Sequence, residues 1–435
     1  MAITERFTSK FLDGRSKQQY FTVAEQILFS ASSMLASIVV VATAGVSWFG
    51  IYSFMFVLAS FGNAFISTLL LRQMTLEIST LDTTQRRAVF LATLAMMSVI
   101  FLTVLLSTLF ALTTLSEDNV LIRYRDELIA CELFVFFYSY FDAARQYLYV
   151  TNRHKHSFRY TLIYAVTLAC ILLLVASYSA PEKVVHRIFL GFSFSTIVCL
   201  IFNQYFYNSI LDARWESWGY VKSVFEGYFR QSRFRLVGLG VNWTQNQSFN
   251  PFLMLVAGPL VAGYFSLARL LVMPISVVNQ GLINSSIPNL RRAFKNSGFA
   301  ALEVHIDKLQ NKNLIFSSLY ILLLTGAHFS GLLNALIPEY EQVKWFLLIW
   351  VVSLLITIPR FWMGQFFVVS MQFKYLMQVA LAALAVSLTG MLVAGFIFGQ
   401  VYVALLFVIV GELVAIAFFK RKRAQTLAKE RIEDA

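Results

Sequence analysis

Apolar runs of about 20 residues follow one another along nearly the whole chain, separated by short stretches that hold most of the charge. A helix needs about 20 mostly apolar residues to cross the hydrocarbon core of a bilayer. The pattern predicts twelve such helices, at about 21–43, 48–71, 88–111, 128–150, 160–180, 185–207, 236–256, 260–287, 314–337, 345–372, 375–398 and 400–419. A membrane barrel would show alternating segments of about ten residues instead. The expected fold class is therefore an all-α polytopic membrane protein. The opening "MAITERFTSKFLDGRSKQQY" is too polar for a cleavable signal peptide, and the run after it is long enough to span and stay. Two connections, near 208–235 and 288–313, are long and amphipathic. In "WGYVKSVFEGYFRQSRFR", Tyr220, Val224 and Tyr228 recur at helical spacing among basic residues, which predicts an interfacial helix joining two halves. "FTSKFL" is expected to lie on the membrane surface in the same way.

Composition agrees with this reading. Hydrophobic residues make up 58% of the 435 and charged ones only 13%, about half the share in a water-soluble domain. The charge is also unevenly placed. Of the 35 Lys and Arg, 27 fall in the two tails and the even-to-odd connections, five in the odd-to-even connections or, for Arg187, at the very start of the span that follows, and three deep inside spans. By the positive-inside rule both termini face the cytoplasm. The net charge of +12 then reads as an anchor to anionic membrane lipid, not as a nucleic-acid surface. The longest odd-to-even connection, "LTTLSEDNVLIRYRDE", is too short for a soluble catalytic domain, so an enzyme is not expected. Cys131, Cys170 and Cys199 sit singly in apolar runs and read as packing residues, while His154 and His156 lie in the basic loop "TNRHKHSFR". Neither set has the spacing of a metal site or a disulfide framework.

The chain repeats itself. "AGVSWFGIYS" and "AGPLVAGYFS" place Gly45 and Gly258, Gly50 and Gly263, and Ser53 and Ser266 at one offset of 213. Each copy falls at the hairpin between the first and second helix of a six-helix half. The same offset lays "SASS" of helix 1, with Ser33, over "WTQN" of helix 7. Repetition after an even number of helices gives parallel halves related by a pseudo-two-fold axis along the membrane normal, with a site between them. The expected divisions are a bundle at 1–207, an amphipathic linker at 208–235, a bundle at 236–420 and a basic tail at 421–435.

"AEQILFSASSMLASIVVVATAGVSWFGIYSFMFVLASF" resembles the opening hairpin of the polysaccharide transporter family, the O-antigen and other lipid-linked oligosaccharide flippases of the multidrug/oligosaccharidyl-lipid/polysaccharide superfamily. "VAGYFSLARLLVMPISVVNQGLINSSIPNLRRAF" is similar to that family's seventh-to-eighth helix region, including Pro288. The resemblance implies a central cavity lined by helices 1, 2, 7 and 8. It also implies alternating access that carries a polyprenyl-pyrophosphate-linked oligosaccharide across a bacterial inner membrane. Membrane lipids, glycan polymerase and chain-length proteins would be its partners, and the chain is expected to act as a monomer without cofactor. The family often shows Asn near Ser33.

Three arginines lie inside spans: Arg145, Arg269 and Arg360. Each costs roughly 2.5–3.5 kcal/mol at a helix centre, so such a residue is a functional candidate. Arg binds phosphate oxygens bidentately and keeps its proton, which suits all three to a pyrophosphate. Arg360 follows Pro359, whose missing donor kinks the helix. Arg145 stands three residues after Asp142, so an intrahelical pair is the alternative there. Of the acids in spans, Glu132 and Glu412 read as structural. Glu25 and Asp142 are candidates for H⁺ or Na⁺ coupling, and Glu25 alternatively for a counter-charge to an arginine. In "NWTQNQSFN" of helix 7, Asn242, Trp243, Gln245 and Asn246 suit a sugar-binding wall, with amides for hydroxyls and an indole for stacking. Interhelical hydrogen bonding is the alternative. Competing functions are a cation-coupled multidrug exporter of the same superfamily, a membrane glycan polymerase or ligase, and a non-transporting scaffold. A cationic interior disfavours the exporter, and the short outer connections disfavour the enzymes.

Overall fold

The computed structural model describes residues 14–78, 81, 83–114, 120–151, 153–203, 218–247, 249–337 and 339–433, and every regular element among them is helical. Contacts divide the chain into two compact units, one up to Leu239 and the other from Gly240.

The first unit begins with one long helical stretch bent at Gly45 (φ 81°, ψ 178°) into α1, 14–44, and α2, 46–78. Next come α3, Thr83–Thr114; α4, Arg125–Val150; α5, His154–Tyr178; and α6, Val184–Phe202. A helix α7 follows as Trp218–Gln247, with a further segment Phe249–Val256. The division between the units falls inside α7. In the second unit Gly258–Phe329 is bent at Ser297 and Gly298 into α8, 258–296, and α9, 299–329. Then come α10, Tyr340–Val369; α11, Phe373–Leu392; and α12, Val401–Glu433.

The sequence repeat has a backbone cause. Gly45 and Gly258 sit at φ 81° and 82°, the left-handed region that favours glycine. A side-chain carbon added at either would meet no atom within 4 Å, so conformation rather than close helix approach requires glycine there. Each marks the same junction in its unit, just before the second helix.

Eight described stretches are long and apolar enough to cross a membrane, and the first of these, Ala24–Thr75, runs through the bend from α1 into α2. Helices α4, α7 and α9 fall outside that set. Acids, arginines and amides interrupt α4 and α7, and the first half of α9 carries Glu303, Asp307, Lys308 and Lys312. The outer faces show large apolar side chains, such as Leu102, Leu106 and Phe110 on α3, Leu173 and Leu174 on α5, and Leu319, Leu322 and Leu323 on α9. Patches of this size would associate in water and suit a lipid surface instead. Cys170 shares such an outward position, while Cys131 and Cys199 are buried.

Three local expectations are revised. Residues 218–235 do not form a separate interfacial helix but are the first turns of α7. Val221, Val224 and Tyr228 are buried against Leu69, Leu70 and Met74 of α2 and Phe90 of α3, so protein, not lipid, covers that face. Ser232 fixes it by donating to the Leu69 carbonyl at 3.3 Å and accepting from Gln73 at 3.1 Å. His154 and His156 belong to α5, where His154 stacks on Tyr149, not to a loop. The end of α12 is docked: Arg423 pairs with Glu303 and Asp307 of α9 at 2.6 and 2.8 Å. Glu430 accepts from the Phe299 and Ala300 amides that open α9. "FTSKFL" and residues 208–217 lie outside the described residues.

Candidate functional site

Polar groups inside an apolar bundle need partners, because an unpaired charge or amide in a medium of low dielectric costs several kcal/mol. In the first unit Glu25 on α1 is fully buried. Its Oε1 lies 2.6 Å from Nε of Arg145 on α4 and accepts from Ser157 and Thr161 of α5 at 3.1 and 2.9 Å. Asp142 stands further off, 3.8 Å from the same guanidinium. Phe29, Phe141 and Tyr149 surround Arg145, with ring centroids 5.5–6.0 Å away. One arginine therefore joins three helices.

The second unit contains a parallel arrangement built differently. Nη1 of Arg360, on α10, donates to both oxygens of Glu412 on α12 at 2.9 and 3.1 Å. Its Nη2 donates to Oε1 of Gln245 on α7 at 3.2 Å. The Gln245 amide closes the triangle by donating to Glu412 at 3.1 Å. Gln245 and Glu412 are almost fully buried. In each unit, then, an arginine on the fourth helix is tied to the first helix and held by a carboxylate.

Arg269 on α8 is arranged otherwise. Its Nη1 donates to Oε1 of Gln247 at 2.7 Å, and its guanidinium carbon lies 5.5 Å from the ring of Trp350 on α10. Trp350 is fixed by its indole N–H, which donates to the Phe265 carbonyl at 3.1 Å, and by ring contacts with Phe265 and Phe249. Next to it Ser266 donates to the buried Asn250 at 2.9 Å. Among the described residues no carboxylate is within ion-pair distance of Arg269. It is the one intramembrane arginine with only neutral partners among them.

The other candidates are placed as follows. Ser33 turns its hydroxyl back to the Phe29 carbonyl, and Ser32 does the same to Leu28. Trp243 is half-buried on α7. The side chains of Asn242 and Asn246 lie outside the described residues. Gln245 and Gln247, two positions apart, point to different arginines, so the amide stretch of α7 serves two separate sites. Glu132 accepts from Thr108. A cavity of about 560 Å³ lies between α2 and the start of α7, lined by Gln73, Glu77, Tyr220, Ser223 and Tyr228 among others. No candidate binding residue is among its described lining residues.

Reading along the chain missed the partners. Glu412 reads as structural with no local sign of its link to Arg360, and nothing local connects Gln247 and Trp350 to Arg269. Parity was the available signal: each buried arginine calls for a counter-charge or a neutral cradle, and these spans hold few acids.

The fold has known counterparts. The lipid II flippase MurJ in an inward closed conformation superposes with a TM-score of 0.68 at 13% identity, over 91% of this chain and 86% of that one. A multidrug resistance MATE family transporter of the MOP superfamily, inward-facing, gives 0.64 at 11% identity over 94% and 96%. MATE in the straight conformation gives 0.55 at 11% identity, over 95% and 96%. No protein-family model and no curated protein matches the sequence. The chain thus has the all-α, twelve-helix, two-bundle fold of these polytopic membrane transporters.

Proposed function

We propose that the chain is a flippase that carries a lipid-linked anion, a polyprenyl-pyrophosphate-linked oligosaccharide, across a bacterial inner membrane by alternating access. The observation behind this reading is the neutral surroundings of Arg269 among the described residues. The other two intramembrane arginines are neutralised within the protein, whereas among the described residues Arg269 meets an amide and a ring face and no carboxylate. An unneutralised guanidinium in a low-dielectric wall attracts an anion and repels a cation. Its remaining N–H groups suit the paired oxygens of a phosphate. Arg269 would hold the pyrophosphate, with Arg145 and Arg360 maintaining the helix arrangement around it. The fold alone admits either a lipid-linked substrate or a drug, since its counterparts include a lipid II flippase and a multidrug resistance transporter. The sign of this charge favours the lipid-linked anion over a cationic drug.

The test is transport in proteoliposomes. The full-length protein is given a fluorescent short-chain polyprenyl-pyrophosphate disaccharide, and its passage between leaflets is followed. The same assay is run with a cationic dye. Arg269→Ala should abolish passage of the anionic lipid, and the dye should not be moved. Dye export by the unaltered protein, or undiminished lipid passage by Arg269→Ala, would reject the proposal.

A further inference from the structure

Buried arginines in this chain occur in two kinds of setting, and the difference lies in their neighbours. Arg145 and Arg360 face carboxylates. Arg269 faces Gln247, which has the shape of glutamate with an amide in place of one oxygen, and Trp350, whose face offers a quadrupole but no charge. Glutamate at 247 would give Arg269 the same neutralising contact that Glu412 gives Arg360. Each cradle element also restricts geometry. The amide accepts from Nη1, the indole ring lies 5.5 Å from the guanidinium carbon, and Trp350 itself is pinned to the Phe265 carbonyl. Four of the five N–H groups, three of them on Nη2 and Nε, have no hydrogen-bond partner among the described residues.

We infer that Gln247 and Trp350 are positioning residues that hold the Arg269 guanidinium in place while leaving its charge unneutralised, so that the neutral amide at 247 determines the sign of the charge the site accepts. This rests on the proposed transport of an anionic lipid and specifies how its recognition is built. Cation–π contact suits the task, since a ring attracts a cation without cancelling its charge toward other ligands. A bidentate carboxylate would compete directly with the phosphate for the same fork.

Gln247→Glu tests this with an almost isosteric change. In the proteoliposome assay with the fluorescent polyprenyl-pyrophosphate disaccharide, transport at neutral pH should fall by about tenfold or more, a change of about 1.4 kcal/mol for each factor of ten. It should recover as the pH is lowered and the introduced carboxyl takes up a proton, relative to the profile of the unaltered protein. A purely packing role for Gln247 has no reason to show that pH-dependent recovery. If Arg269→Ala is inactive but Gln247→Glu transports normally at every pH, the inference is wrong and the anion-transport reading survives. If Arg269→Ala transports normally, both are wrong. Should Gln247→Glu fail to give folded protein, Trp350 decides the question. Trp350→Phe, which keeps a ring face, should retain most of the activity, and Trp350→Leu should lose about tenfold or more. Equal transport by those two variants overturns the inference.

Discussion

Removing one partner from the Arg360–Glu412–Gln245 triangle should destabilise the protein far more than removing the charged pair together. In Arg360→Met the Glu412 carboxylate, 3% exposed, keeps a hydrogen bond from the Gln245 amide at 3.1 Å but loses its counter-charge. Breaking a buried ion pair on one side costs about 3–5 kcal/mol, because a desolvated charge is left uncompensated. Glu412→Leu should cost a similar amount by stranding the guanidinium. The double change Arg360→Met/Glu412→Leu removes both charges and leaves Gln245 as the remaining polar group, so its cost should be well below the sum of the singles. A coupling energy of about 2 kcal/mol or more is expected, within the range for residues sharing one network. Thermal unfolding of the four proteins in one detergent, closed as a double-mutant cycle, measures it. The double variant should also still move the anionic lipid, since the proposed phosphate ligand is Arg269. Strictly additive effects, or a stable double variant without transport, would refute the assignment of Arg360 to architecture.

Two further changes test the backbone and the tail. Gly45→Ala and Gly258→Ala should each destabilise by about 1–2 kcal/mol from the left-handed backbone alone, although the added carbon meets nothing; Gly238→Ala, inside α7 with equally open space and no positive φ, should instead stabilise by about 0.4–1 kcal/mol in the same melts. Glu430→Ala should cost about 0.5–2 kcal/mol by uncapping the Phe299 and Ala300 amides, read as faster amide hydrogen exchange at the start of α9.

Helix positions were legible in the sequence because hydropathy is a local property. The bend at Gly45 and Gly258 was legible as a repeat before it had a conformational meaning. Neighbours were harder to read. Arg360 and Glu412 are 52 positions apart, and Gln245 is 115 from Arg360, so nothing local links the three. Helix periodicity identified the face carrying Tyr220, Val224 and Tyr228 but not its covering, because a basic amphipathic helix looks alike whether it lies on lipid or on another helix. The amides of α7 posed the same difficulty. In the sequence they suit a sugar-binding wall or interhelical hydrogen bonds, and Gln245, Gln247 and Asn250 each meet a defined partner.

The repeat separates architecture from specialisation. Arg145 and Arg360 occupy the fourth helix of each half, and in both halves the guanidinium is tied to the first helix and held by an acid. A feature present in both halves, with different partners completing it, fits a requirement of the bundle itself: the fourth helix must be held against the first, and a charged hydrogen-bonded contact achieves this inside an apolar medium. The Arg269 cluster has no such twin. At the 213-residue offset, Arg269 corresponds to Phe56, Gln247 to Met34 and Trp350 to Phe137. Phe56 stacks on Tyr52 at 5.8 Å, an ordinary aromatic contact. If the first half folds with apolar residues at all three positions, the fold does not require a guanidinium there. The desolvation cost of Arg269 is then not explained by packing, and the proposed anionic substrate would account for it.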